Sequence, residues 1–123
     1  MIAALALMGL CAPIAHGDDD DDEPNVSARQ ATAISEGAAT LNAKVHPGDD
    51  DEGPTHYVFQ YGTTTGYGAT TAVASFSDDD SRIVSVQISG LSPDTTYNFR
   101  AVAWNDEGDD HGSNRTFRTA TLA

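Results

Sequence analysis

Apolar residues in this chain fall on alternate positions, over short segments, again and again. Leu41, Ala43 and Val45 alternate with Asn42 and Lys44; Tyr57, Phe59 and Tyr61 with Val58 and Gln60; Val84, Val86 and Ile88 with Ser85 and Gln87. A period of two lines one face of an extended strand with apolar groups, whereas a helix needs a period of about 3.6. Tyr97, Phe99, Ala101 and Ala103 continue the pattern, and Phe117 centres a last segment at 116–119. A first strand within 26–34 and a short one within 69–76 bring the total to seven. The intervening stretches 35–38, 46–54, 62–68, 77–81, 89–95 and 105–113 are rich in Gly, Pro, Asp, Asn and Ser. Those residues supply positive φ or local side-chain hydrogen bonds, so the stretches read as turns. This spacing predicts an all-β sandwich.

With 123 residues, the chain has material for one core. The pattern places it at 25–120, after an acidic linker at 18–24 and an apolar segment at 1–17. The run from Ile2 to Ile14, followed by Ala15, His16 and Gly17, resembles the hydrophobic region of a secretory signal with a small-residue cleavage site. It falls short of the ~20 apolar residues that cross a bilayer, and no Lys or Arg precedes it. Cleavage, retention in a neighbouring subunit and lipidation of Cys11 are the fates it admits, the last disfavoured by Leu10 just before the cysteine. Removal would leave a protein without cysteine, hence without disulfides or thiolate metal sites.

The segment SGLSPDTTYNFRAVAWN at 89–105 resembles a fibronectin type III domain, above all the type found in bacterial and archaeal secreted proteins. ATLNAKVHPG looks like the second strand of that family, THYVFQYGTTTGYG like the third, and GSNRTFRT like the last. The resemblance implies a seven-stranded immunoglobulin-like sandwich. It also implies a corner built on Leu91, Pro93 and Tyr97, the tyrosine hydroxyl bonding to backbone upstream. Two features depart from the family. Small residues occupy the second strand where many members bury a Trp, and the 105–113 loop lacks the Arg-Gly-Asp of some animal members.

Charge is the other constraint. Formal net charge is -13, and all but two of the nineteen acidic residues fall in four runs, at 18–23, 49–52, 78–80 and 106–110. Nucleic acid and anionic membranes need clustered Lys and Arg and are excluded as partners. Because consecutive strands reverse direction, all four runs belong to one pole of a seven-stranded sandwich. Two unit charges ~6 Å apart in water repel by roughly 0.7 kcal/mol, so such a pole should attract cations. Oxygen ligands without thiolate favour Ca²⁺. The candidate ligands are Asp49, Asp50, Asp51, Glu52, Asp78, Asp79, Asp80, Asp106, Glu107, Asp109 and Asp110. The same acids also suit diffuse cation attraction, salt adaptation or a basic protein partner. His46, His56 and His111 fall near that pole, as Zn²⁺ or Cu²⁺ ligands or as ordinary loop histidines.

Alternation sends Trp104, Val102 and Arg100 to the outer face of their strand, where Trp104 either anchors a ligand or subunit or packs against its neighbours. Asn25-Val-Ser and Asn114-Arg-Thr match the glycosylation acceptor pattern. No nucleophile motif or phosphate loop stands out, which argues against an enzyme. The expectation is a secreted or cell-surface module without catalytic activity that associates with a protein partner or with itself. A self-assembling filament subunit with a cation-binding acidic pole is its specific form. The alternative is an accessory spacer or carbohydrate-associated module of a secreted polysaccharide-degrading system.

Overall fold

The computed structural model describes residues 24–47, 54–77 and 80–122. Strands run over Asn25–Thr32 (β1), Ala38–His46 (β2), Thr55–Gly62 (β3), Ala69–Thr70 (β4), Ala74–Phe76 (β5), Arg82–Ser89 (β6), Thr96–Asn105 (β7), Gly108–His111 (β8) and Arg115–Arg118 (β9). A three-stranded sheet has the order β1-β2-β6. In the larger sheet β3 and β7 are central, β4 and β5 flank β3, and β8 and β9 flank β7. All pairings are antiparallel.

The nine segments are the seven expected strands, one of them broken in two, and one more, β8. The 69–76 strand splits at 71–73, where Thr71 pairs with Phe59 through both its N–H and its hydroxyl. Its N–H donates to the Phe59 carbonyl (2.9 Å), and its Oγ1 accepts from the Phe59 N–H (2.9 Å). The sequence reading also needs one correction: 105–113 is not a loop throughout. Asn105 Oδ1 accepts from the backbone N–H of Glu107 (2.8 Å) and of Gly108 (3.2 Å), closing a tight turn that returns the chain along β7 as β8.

The two sheets divide the work of filling the core. Aromatic bulk comes from the larger sheet: Phe59, Phe99, Tyr97 and Phe117 are buried and in mutual ring contact, with Phe99 to Phe117 at 6.0 Å and Tyr97 to Phe117 at 5.6 Å. Opposite them β2 supplies Ala39, Leu41, Ala43 and Val45, all fully buried. Large against small is how facing layers interdigitate, and each buried Phe contributes roughly 2–3 kcal/mol. This explains how β2 packs with no large aromatic of its own.

One side of the sandwich is closed by β1, which lies over the β8 to β9 break. A Cβ at Gly112 would sit 3.1 Å from the Ala28 nitrogen, so any side chain there would press on the β1 backbone. Registers place Asn25, His46, Arg82, Thr55, Phe76 and Gly108 at one end of the two sheets. The described flanks of all four acidic runs are therefore at that end. The runs 18–23 and 49–52, with Asp78 and Asp79, lie outside the described residues.

Candidate functional site

Directly opposed residues of an antiparallel pair share a face. On the outer face of the larger sheet, β3 offers His56, Val58 and Gln60 against Trp104, Val102 and Arg100 of β7. The His56 imidazole stacks on the Trp104 indole, centroids 5.5 Å apart and planes inclined by 26°. Val58 and Val102 are 1% and 0% exposed, although they face away from the main core, and Trp104 packs against them. Sequence alternation thus gives this face a small hydrophobic floor of its own. Asp109 and His111 of β8 stand on the same face, 3.7 Å apart.

Further along, Gln60 Oε1 accepts from Arg100 Nε at 2.7 Å, which fixes the guanidinium. Its central carbon lies 5.1 Å from the Tyr67 ring centroid. The Tyr67 hydroxyl donates to Asn114 Oδ1 (2.9 Å), and Asn114 Nδ2 donates to Asn98 Oδ1 (3.1 Å). Beside this array is an open hollow of about 530 Å³, lined by Gln60, Tyr67, Thr70 and Arg100 among others.

Tyr67 reaches Arg100 because of an unusual backbone. Its φ is +61°, followed by Gly68 at +94°, and its N–H bonds to the Thr64 carbonyl at 3.0 Å. A left-handed tyrosine costs roughly 1–3 kcal/mol and persists only where the surroundings impose it. Here Gly62 leaves room for the Tyr67 carbonyl, into which any Cβ at position 62 would run.

The acids of the fourth run do not converge. Asp106 and Glu107 are exposed at the hairpin tip, while the β8 pleat sends Asp109 to the outer face and Asp110 to the inner one. Asp110 Oδ2 accepts from the Val26 N–H at 2.8 Å. Asp80 is exposed, and Asp49, Asp50, Asp51, Glu52, Asp78 and Asp79 lie outside the described residues. Among the described residues, no three or more His, Cys, Asp or Glu side chains are grouped so as to hold a metal ion. The histidines divide between surfaces: His46 sits on the smaller sheet, its Nδ1 2.6 Å from Ser81 Oγ, while His56 and His111 belong to the Trp104 face.

At the opposite end, Tyr97 Oη accepts from the Ser92 N–H (2.8 Å). The Leu91 N–H donates to the Gly37 carbonyl (3.0 Å), and the Pro93 carbonyl accepts from Thr95 Oγ1 (2.8 Å). This is a tyrosine corner in its usual form.

No protein-family model matches the chain, and no curated protein does. Solved structures do. The sensor domain of the anti-sigma factor RsgI4 of Pseudobacteroides cellulosolvens superposes with a TM-score of 0.60 at 22% identity, covering 79% of this chain and 94% of that one. The sixth fibronectin type III domain of human fibronectin type III domain containing protein 3 superposes at 0.59 and 24%, covering 80% and 87%. A further human fibronectin type III domain gives 0.56 at 15%, covering 91% and 88%.

The fold is that of a fibronectin type III domain.

Within this fibronectin type III sandwich, the sequence pointed to Trp104 and Arg100, missed Gln60, Tyr67 and Asn98, and singled out His56 and Asn114 for other roles, as a histidine of the acidic pole and as a glycosylation acceptor. Cross-strand register brings His56, Gln60 and Asn98 there, hydrogen bonds to Tyr67 and Asn98 bring Asn114, and only Tyr67 had a local sign. The triplet Gly66-Tyr67-Gly68 inside a Thr-rich turn marked a tyrosine on an unusual backbone. No helix among the described residues is long and apolar enough to cross a membrane.

Proposed function

We propose that this domain is a non-catalytic binding module, secreted or displayed at the cell surface, that engages a protein partner through the outer face of its larger sheet. The observation that carries this is the grouping of Trp104, Tyr67 and Arg100 on one face. Trp, Tyr and Arg are the residue types that dominate binding energy at protein interfaces. Here they are already held, by the His56 stack, the Gln60 bond and the Asn114 bond. Side chains ordered before binding lose less entropy on contact. The chain's net charge of -13 steers basic partners toward it over long range. Export is the part of the proposal that rests on the apolar 1–17 segment.

A polysaccharide ligand is the second reading, supported by the same Trp104. His56 against the indole weakens it, because a sugar platform needs an open ring face. A filament in which Ca²⁺ bridges the acidic pole of one copy to the opposite pole of the next is a finer form of the protein reading. Electron microscopy with and without Ca²⁺ tests that form, and a monomer under both conditions discards it.

Site-specific photo-crosslinking in the native source tests the main proposal. A photoreactive residue at Thr70, beside the Arg100 hollow, should give one adduct of discrete mass, abolished by Trp104→Ala. The same group at Arg29, on the smaller sheet, should give none. Equal labelling at both positions would sink the proposal. Retention on insoluble polysaccharide that Trp104→Ala removes would replace it with the sugar reading.

A further inference from the structure

A β-sheet edge exposes unpaired backbone N–H and C=O groups, and proteins protect such edges by breaking, charging or covering them. Three of the four edges of this sandwich are treated that way. One edge of the larger sheet is split into the short β4 and β5, and the other breaks between β8 and β9. The β1 edge carries Arg29, has a register shift between Arg29 and Thr32, and lies against the segment around Gly112.

The fourth edge, β6, is neither broken nor covered by a described strand, and its one charge is Arg82 at its first position. It is eight residues long, it pairs with β2 in unbroken register from Arg82 to Ser89, and among the described residues no strand pairs with its far side. From Ile83 to Ser89 it contains no charge, glycine or proline. Ile83, on its outward side, is 52% exposed. A run of strand-forming residues with no charge inside it is the signature of an edge that accepts another strand. In immunoglobulin constant-type sandwiches a fourth strand occupies this position, beside the third strand of the ABED sheet. Among the described residues no strand fills that place.

We infer that β6 is a strand-addition edge whose occupant is the β6 of a second copy, paired antiparallel to give a twofold dimer with a continuous six-stranded sheet. Two observations select a second copy. First, the strand is self-complementary. A twofold axis at Val86 sets Val84 opposite the second copy's Ile88 on the inner face, and on the outer face sets Ser85 opposite its Gln87 and the exposed Ile83 opposite its Ser89. No like charges face each other along the seam, which would be the costly arrangement. Second, β6 starts at the acidic end and finishes at the other. Antiparallel pairing therefore sends the two acidic poles to opposite ends, roughly 27 Å apart along eight residues of strand, well beyond a screening length of ~8 Å. A parallel arrangement would set the two poles side by side.

One strand pair buries less than the ~800 Å² per partner of a standard complex, so the dimer should be weak, with Kd on the order of 100 µM. This surface is on the opposite sheet from Trp104, so the inference stands apart from the partner-binding role. Sedimentation velocity of the full chain at 0.15 M salt tests it, from about 10 µM to about 1 mM. The sedimentation coefficient should rise with concentration, and alternate amides of β6 should gain hydrogen-exchange protection over the same range. The double variant Ile83→Lys with Gln87→Lys, both outward-facing, should stay monomeric while unfolding at an unchanged temperature. Ser27→Lys, on the β1 edge of the same sheet, should dimerise like the parent. A parent that stays monomeric to ~1 mM, or a dimer that survives the double variant, overturns the inference.

Discussion

The Asp110 carboxylate accepts a hydrogen bond at 2.8 Å from the backbone N–H of Val26, a residue 84 positions earlier in the chain. Val26 is the second residue of β1 in the smaller sheet and Asp110 lies in β8 of the larger one, so the bond ties the two sheets at the acidic pole. Hydrogen bonds to a charged group contribute about 1.5–3 kcal/mol when one partner is partly buried. Asp110→Ala should lower the urea unfolding free energy by an amount in that range. Asp106→Ala, the same charge change at the exposed hairpin tip, should shift it by no more than about 0.5 kcal/mol. Equal effects of the two substitutions would show that charge, and not this bond, accounts for the loss.

Tyr97 separates ring from hydroxyl in the same manner. The ring stacks on Phe117 in the core, while the hydroxyl accepts from the Ser92 N–H. Tyr97→Phe keeps the packing and leaves that part-buried N–H without its acceptor, at a cost of about 1–3 kcal/mol. Thermal and urea unfolding should both report the loss, with near-native circular dichroism below the transition. An unchanged midpoint would mean that water replaces the hydroxyl without cost.

Two glycines near Tyr67 should respond differently to alanine. At Gly62 the new Cβ meets the Tyr67 carbonyl, a backbone atom that cannot swing aside. At Gly68 the Cβ would stand in open space, and only the φ of +94° opposes it. Gly62→Ala should cost about 3 kcal/mol or more and move the Tyr67 ring off Arg100. Gly68→Ala should cost about 1–2 kcal/mol through backbone strain alone. Chemical shifts of the Arg100 guanidinium give a local readout: a large change is expected for Gly62→Ala and a small one for Gly68→Ala. The reverse order would contradict the role given to Gly62.

These residues also show what was legible before the structure. The inward set on β7, Tyr97, Phe99, Ala101 and Ala103, announced itself by period two, and with it the outward placement of Arg100 and Trp104. Strand β8 did not, because Asp109 and Asp110 are poor strand formers and the long pairing with β7 overrides that local preference. The break at Thr71 was hidden for a similar reason, since it depends on a hydroxyl meeting the backbone of Phe59 twelve residues away. Gln60, His56 and Asn114 enter the candidate face through register and long-range hydrogen bonds, which no local pattern encodes. Strand parity set the acidic run at 106–110 at one pole with the other three, but it does not resolve the pleat of β8, which separates Asp109 from Asp110.

Salt should stabilise this domain. Most favourable surface electrostatics weaken as salt screens them, and the exposed Arg118 to Asp94 pair at 2.8 Å is of that kind and contributes little. Against it stand a net charge of -13 and acidic residues concentrated in four runs. The described flanks of those runs share one end of the sandwich. Each close pair of carboxylates ~6 Å apart costs roughly 0.7 kcal/mol in water at low salt, and screening removes most of that cost. Raising NaCl from about 10 mM to about 500 mM should therefore stabilise the fold by about 1 kcal/mol, which for a domain this small is ~4–8 °C in Tm. Differential scanning calorimetry across the series checks the sign, and Asp106→Ala should flatten the slope by relieving part of the repulsion. A Tm that falls with salt would show that attractive pairs outweigh repulsion at the acidic pole.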